Sequence, residues 1–263
     1  MKLFLSSTLC WSDPVDKVIQ IADRYGFAGV EIWAEQVWHH QTEPEEILRA
    51  NDPIHLELTF HAASWDLNLC ALNEGIRNQS VTEIEKSMRL ASRIGAENVT
   101  IHPGRVTLPA FRDWHHSIMV DRLTYLAGRA EELHVTISVE MMEHIKKELI
   151  VTPYMMNRLL NDLPETIRTT FDMAHVPLDQ HVIDYFRHTE RINKIHMSDA
   201  KLGQYHVPLG QGVLPIQKIL SQLRTTRLPV ILEGLDTDPA HPALLANCRY
   251  LQTMQSCIEE GQK

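Results

Sequence analysis

Eight short runs rich in β-branched and aromatic residues alternate with longer segments of helical period from one end of the chain to the other. The runs are KLFLSS, AGVEIW, IHLELTFH, ENVTIH, HVTISVE, IRTTFD, INKIHM and LPVILE. The segments between them carry apolar residues at three- and four-residue intervals, as in TPYMMNRLLNDL and LPIQKILSQLR. Two helix starts carry sequence signals: Ser12 ahead of Pro14 suggests a cap, and Ser80 with Glu83 forms a capping-box pattern. Strand–helix alternation repeated eight times in 263 residues has a natural solution in the parallel (β/α)8 barrel. The alternative, an open doubly wound sheet, is disfavoured because no G-x-G-x-x-G follows the first run. The expected fold is therefore α/β, a single-domain (β/α)8 TIM barrel spanning residues 1–263.

In such a barrel the carboxyl ends of the strands and the loops after them form the active face. The last residues of the runs include Glu31, His61, His102, Glu140, Asp172, His196 and Glu233. Seven of eight strands thus end in Asp, Glu or His, although the chain holds only 34 acids and 15 histidines. Some of these side chains have plain structural uses, the acids capping helices and the histidines packing on the rim. As a set they point to oxygen and imidazole ligands converging on a divalent ion such as Zn²⁺ or Mn²⁺. A purely carboxylate set would instead suit Mg²⁺ or Ca²⁺.

Charge and cysteine usage bound the partners. A formal charge of −9 disfavours nucleic acid held by bulk electrostatics, while leaving room for a local basic groove. Cys10, Cys70, Cys248 and Cys257 show no C-x-x-C spacing and read as free thiols of a cytoplasmic protein. MKLFLSS starts a strand at once, without signal-peptide design, and no apolar run reaches the ~20 residues that cross a bilayer. Apolar residues on the last helical segment hint at a homodimer.

From GFAGVEIW to VILEG the chain resembles the xylose isomerase-like barrel superfamily, which includes sugar isomerases, ketose epimerases, related dehydratases and apurinic-site endonucleases. The resemblance implies a four-ligand metal site: Glu140 in SVEMM, Asp172 in TFDMAH, His196 in KIHMSD and Glu233 in VILEG. The endonuclease branch binds three zinc ions, and several of its motifs are matched. His61 stands in FHAASW, His102 opens an H-P-G turn, His175 completes D-x-x-H, and His206 follows in GQYHVPLG. One departs: Gln204 stands where that branch has an aspartate, and neutral Gln is a poor ligand for a dication.

The resemblance implies a metal-dependent isomerase or epimerase of a small sugar, polyol or sugar phosphate. Glu140 and Glu233 would transfer the proton, and His175 would orient a hydroxyl or relay a proton. His61, His102, Arg105, Lys201, His206 and Trp65 would bind substrate, with Arg105 and Lys201 holding a phosphate or carboxylate. One divalent metal is expected, and a second ion near His61 and His102 stays open. Ketose 3-epimerases of the superfamily carry an Arg six residues after the seventh-strand His, where this chain has Leu202. They also carry a Glu where this chain has Lys146. A lyase or dehydratase, and a multinuclear-zinc phosphodiesterase acting on abasic DNA, are the alternatives.

Overall fold

The computed structural model describes residues 2–260, with side-chain surroundings for residues 2–254. Eight parallel strands close into a barrel: β1 (Lys2–Ser6), β2 (Gly29–Trp33), β3 (Glu57–His61), β4 (Asn98–Ile101), β5 (Thr136–Glu140), β6 (Arg168–Asp172), β7 (Ile192–Met197) and β10 (Pro229–Leu232). Each pairs with its neighbour in chain order, and β1 closes the ring against β10 with Leu5 opposite Leu232. A short antiparallel hairpin, β8 (Asp199–Lys201) and β9 (Gln204–Val207), follows β7. Nine α-helices are described: α1 (Val15–Arg24), α2 (Ala34–His39), α3 (Pro44–Asn51), α4 (Glu74–Arg93), α5 (Arg112–Glu132), α6 (Pro153–Asn161), α7 (Val182–His188), α8 (Ile216–Leu223) and α9 (Pro242–Glu260).

The period of two along each strand divides the side chains between helix layer and lumen. Val30, Ile32, Phe60, Val99, Ile101, Ile137, Val139, Phe171, Ile195 and Met197 join the apolar cluster that also holds buried residues of the helices. The intervening residues are polar and buried: Ser6, Glu31, Thr59, Thr100, Ser138, Thr170 and Lys194. Barrel lumens are ordinarily filled by bulky aliphatic layers. This one instead holds a bonded polar layer, in which Thr100 and Thr170 hydroxyls meet at 2.9 Å and Lys194 donates to Glu31 and Thr59.

Two helix starts differ from the sequence expectation. Helix α4 begins six residues before Ser80, capped by Asn73, whose side chain accepts from the Ile76 N–H. Ser80 lies inside the helix, donating to the Ile76 carbonyl and accepting from the Asn68 N–H, so the Ser80–Glu83 pattern is no cap. Helix α1 is entered through Pro14 with no side-chain cap, and Ser12 plays no part. Cys10, Cys70 and Cys248 are free thiols, whereas the side chain of Cys257 lies outside the described residues. Among the described residues no helix is long and apolar enough to cross a membrane.

Candidate metal centre

The same alternation that puts Lys194 in the lumen puts His196, one step further along β7, at the barrel mouth. Glu140, Asp172 and His196 end β5, β6 and β7, and Glu233 directly follows β10. One ligand atom from each of the four lies within 4.8 Å of the others, and all four residues are buried. His196 Nδ1 is 2.8 Å from Glu233 Oε2, 3.5 Å from Glu140 Oε1 and 3.9 Å from Asp172 Oδ2.

Two further groups adjoin this one. His61 Nε2 and His102 Nε2 each stand 3.4 Å from Glu140 Oε2. On the other side Asp172, His175 and His206 form a third set, with the two Nε2 atoms 3.2 Å apart. Glu140 therefore belongs to the first and second groups, and Asp172 to the first and third.

The donor chemistry fits a cation. His61 Nδ1 donates to the Ala62 carbonyl and His175 Nδ1 to the Met141 carbonyl, so that in the neutral imidazoles each Nε2 turns a lone pair inward. The Asp172 Oδ1 accepts from the Ala174 and His175 N–H groups. Its Oδ2, the Glu233 Oε2 and His196 Nδ1 are buried without a hydrogen-bond partner. Orphaned buried acceptors converging on one point are costly unless something positive joins them.

Without a cation the imidazoles supply the compensating charge. Burial works against it, but Glu233, Glu31 and Glu140 around His196 hold its pKa well above the usual histidine value. Glu140, despite its desolvation, is kept well below the usual carboxylate range by His196 and by hydrogen bonds from His102 and His61. Glu233 differs: burial pushes it up to about 7.

Above these groups lies a cavity of about 240 Å³, walled by Trp33, Trp65, His102, Arg105, Glu143, His175 and His206, with Glu140 and Glu233 reaching it from below. Among the described residues Arg105 is the one Lys or Arg in this lining. Its Nε donates to the buried Glu148 carboxylate at 2.7 Å, and its backbone is fastened on both sides to the Asn68 amide. The turn before it needs Gly104, at φ +107°, where a Cβ would come within 2.9 Å of Cys70 Sγ. Trp65 is half-exposed at the rim, its N–H and that of Ser64 held by Glu35.

Most of the expected site residues thus gather at one mouth, and two of those expected to bind substrate do not line the cavity. Lys201 sits in the β8–β9 hairpin beside a separate depression, next to Leu202, which is 93 % exposed. A hairpin turn carries that lysine outward, away from the cavity. His61 is fully buried, stacked on the Trp33 ring at 3.7 Å, and faces Glu140 rather than the cavity. Gln204 is exposed on β9. Sequence reasoning overlooked Trp33, Glu35, Glu148 and Lys194. For Lys194 a signal existed: it shares strand parity with His196, so it had to enter the lumen and find a partner.

A family model described as the xylose isomerase-like TIM barrel matches residues 19–254. An uncharacterized protein of Methanocaldococcus jannaschii is 23 % identical over 85 % of this chain and 80 % of its own. A "Probable endonuclease 4" of Petrotoga mobilis is 22 % identical over 72 % of this chain and 73 % of its own. Among solved structures, a D-tagatose 3-epimerase-like protein superposes with a TM-score of 0.84 at 19 % identity, covering 100 % of both chains. The 3-keto-D-glucoside 4-epimerase of E. coli gives 0.79 at 18 % identity, covering 98 % of this chain and 100 % of that one. The chain belongs to the xylose isomerase-like TIM barrel family.

Proposed function

For this member of the xylose isomerase-like TIM barrel family we propose divalent-metal-dependent isomerisation or epimerisation of a small sugar, polyol or sugar phosphate. One observation carries the reading. Of the four converging side chains, Glu140 and Glu233 line the cavity, while Asp172 and His196 lie beneath it. Two carboxylates that reach the substrate space from different strands can serve as proton acceptor and proton donor.

Glu140, Asp172, His196 and Glu233 would hold the ion. When bound, it polarises a substrate carbonyl and acidifies the adjacent C–H bond. One of Glu140 and Glu233 then takes the carbon-bound proton, and a proton is returned from the other. His175, fixed through Nδ1 on the Met141 carbonyl, presents its Nε2 to a substrate hydroxyl. Arg105, tethered by Glu148, holds an anionic substituent at the rim. Trp33 and Trp65 cover the apolar face of a sugar ring and exclude water. The cavity is somewhat smaller than the usual ligand pocket, which suits a compact ligand such as a monosaccharide derivative.

A second reading is hydrolysis of a phosphodiester at abasic DNA by several zinc ions. It draws support from the two histidine-bearing groups that share Glu140 and Asp172 with the central set. Against it stand the exposed Gln204, the formal charge of −9 and the confined cavity.

Two measurements test the proposal. Metal analysis of the purified protein is expected to give one tightly held ion per chain, and three would favour the second reading. Glu233→Gln should slow solvent-proton exchange into a sugar substrate by about 10²- to 10⁴-fold while leaving the circular dichroism spectrum intact. Undiminished exchange would refute the role of Glu233.

A further inference from the structure

Beneath the candidate metal ligands lies a second charged layer that the proposed reaction does not use. Lys194 is buried in the lumen, its Nζ 2.6 Å from Glu31 Oε1 and 2.8 Å from Thr59 Oγ1. Thr59 passes the contact on by donating to the Asn98 carbonyl. The other oxygen of Glu31, Oε2, stands 2.9 Å from His196 Nε2. The opposite ring nitrogen of His196, Nδ1, faces Glu233, Glu140 and Asp172. A single line of contacts thus runs from Lys194 through Glu31 to the back of the His196 ring, and from its front to the ligand group.

From this geometry we infer that Glu31, held by Lys194, is a positioning residue for His196. Its Oε2 faces Nε2 at 2.9 Å and, by drawing the ring proton to that side, commits the Nδ1 lone pair to the cation. Burying a lysine and a glutamate beneath a metal centre is expensive, and an apolar pair of equal volume would pack the lumen at less cost. A histidine ligand, however, must be fixed in both tautomer and ring orientation, and a carboxylate behind it does both while raising its basicity. Lys194 does for Glu31 what Glu31 does for His196. It pins one oxygen so that the other is aimed at the ring. Thr59, opposite Glu31 in the β2–β3 register, fixes the lysine in turn.

The inference rests on the metal reading of Glu140, Asp172, His196 and Glu233. Its test separates the two. Zinc affinity would be measured by competition with a chromophoric chelator for the wild-type protein and for the paired variant E31Q/K194M. That variant removes both charges while nearly keeping volume. The expected result is a ten- to hundredfold weaker zinc affinity with an unchanged far-ultraviolet spectrum. In the zinc-loaded wild-type protein, long-range ¹H–¹⁵N correlation should show His196 protonated on Nε2. This second readout needs no variant and so survives a folding failure of E31Q/K194M. Affinity within twofold of wild type, or a proton on Nδ1, would overturn the inference alone. A wild-type protein that takes up no zinc would overturn the metal reading with it.

Discussion

Changing Asp199 to Asn probes how the hairpin carrying His206 is held against the barrel. The Asp199 side chain is buried and accepts four backbone N–H groups. Oδ1 takes those of Ala200 at 2.8 Å and Leu214 at 3.0 Å, and Oδ2 takes those of Gly210 and Gly212, both at 3.0 Å. An asparagine keeps one of these oxygens and turns the other into a donor. Either flip of the amide leaves two backbone N–H groups facing an NH₂. Losing two hydrogen bonds and stranding two donors costs about 3 kcal/mol, allowing for partial relaxation of the loop. In a protein of this size that is a fall in Tm of roughly 6–12 °C. Urea denaturation followed by circular dichroism measures the global loss. Amide exchange at Gly210 and Gly212 reports whether the loop opens locally instead. A loss below about 0.5 kcal/mol with unchanged exchange at both glycines would refute the assignment of Asp199 as the anchor of this segment.

Glu148→Gln loosens the tether on Arg105, and for a substrate bearing a phosphate or carboxylate KM should rise about tenfold with little change in kcat. Steady-state kinetics on charged and neutral substrates decide it, and an equal effect on both would remove Arg105 from the anion-binding role. Gly104→Ala forces a Cβ into a left-handed turn against Cys70 Sγ, and a destabilisation of about 1–3 kcal/mol is expected in thermal melts. Burial pushes the thiols of Cys10 and Cys70 up to about 12 from the ordinary 9.0. The unfolded chain therefore loses these protons first as pH rises, so stability falls between pH 9 and pH 12, by up to about 1.4 kcal/mol per pH unit for each thiol. Urea midpoints at pH 8 and pH 10.5 should show the drop, and Cys70→Ala should reduce it; identical slopes in the two proteins would dismiss the contribution of Cys70.

The barrel was legible because its strands announce themselves twice. Apolar runs such as HVTISVE alternate with helical segments, and their polar last residues are tolerable only where a lumen opens. Those grounds mark Glu31, His61, His102, Glu140, Asp172, His196 and Glu233 together, and the family resemblance is what narrows them to the four ligands Glu140, Asp172, His196 and Glu233. The β8–β9 hairpin was not legible, because DAK and QYHV are too short to display a period. That omission hid the outward position of Lys201. The Ser80–Glu83 pattern misled because a local motif says nothing about the helix already running from Glu74. The Glu31–Lys194 pair was invisible for another reason: its members are 163 residues apart, and no local spacing encodes a contact across the lumen.

That separation bears on how the chain reaches its fold. Glu31 lies on the second strand to be made and Lys194 on the seventh. An N-terminal half-barrel carries the carboxylate without its ammonium, and a C-terminal half the reverse. Neither half can dehydrate its lumen without stranding a charge. The apolar outer faces of the strands favour assembly in pieces, but the inner charges withhold the gain until β2 and β7 stand opposite one another. Ring closure and lumen desolvation are thereby tied into one late event that depends on distant contacts, the kind that folds slowly. The pair acts as a check on completeness: a truncated or misregistered barrel stays wet inside, and open to proteolysis, until both ends of the chain have arrived.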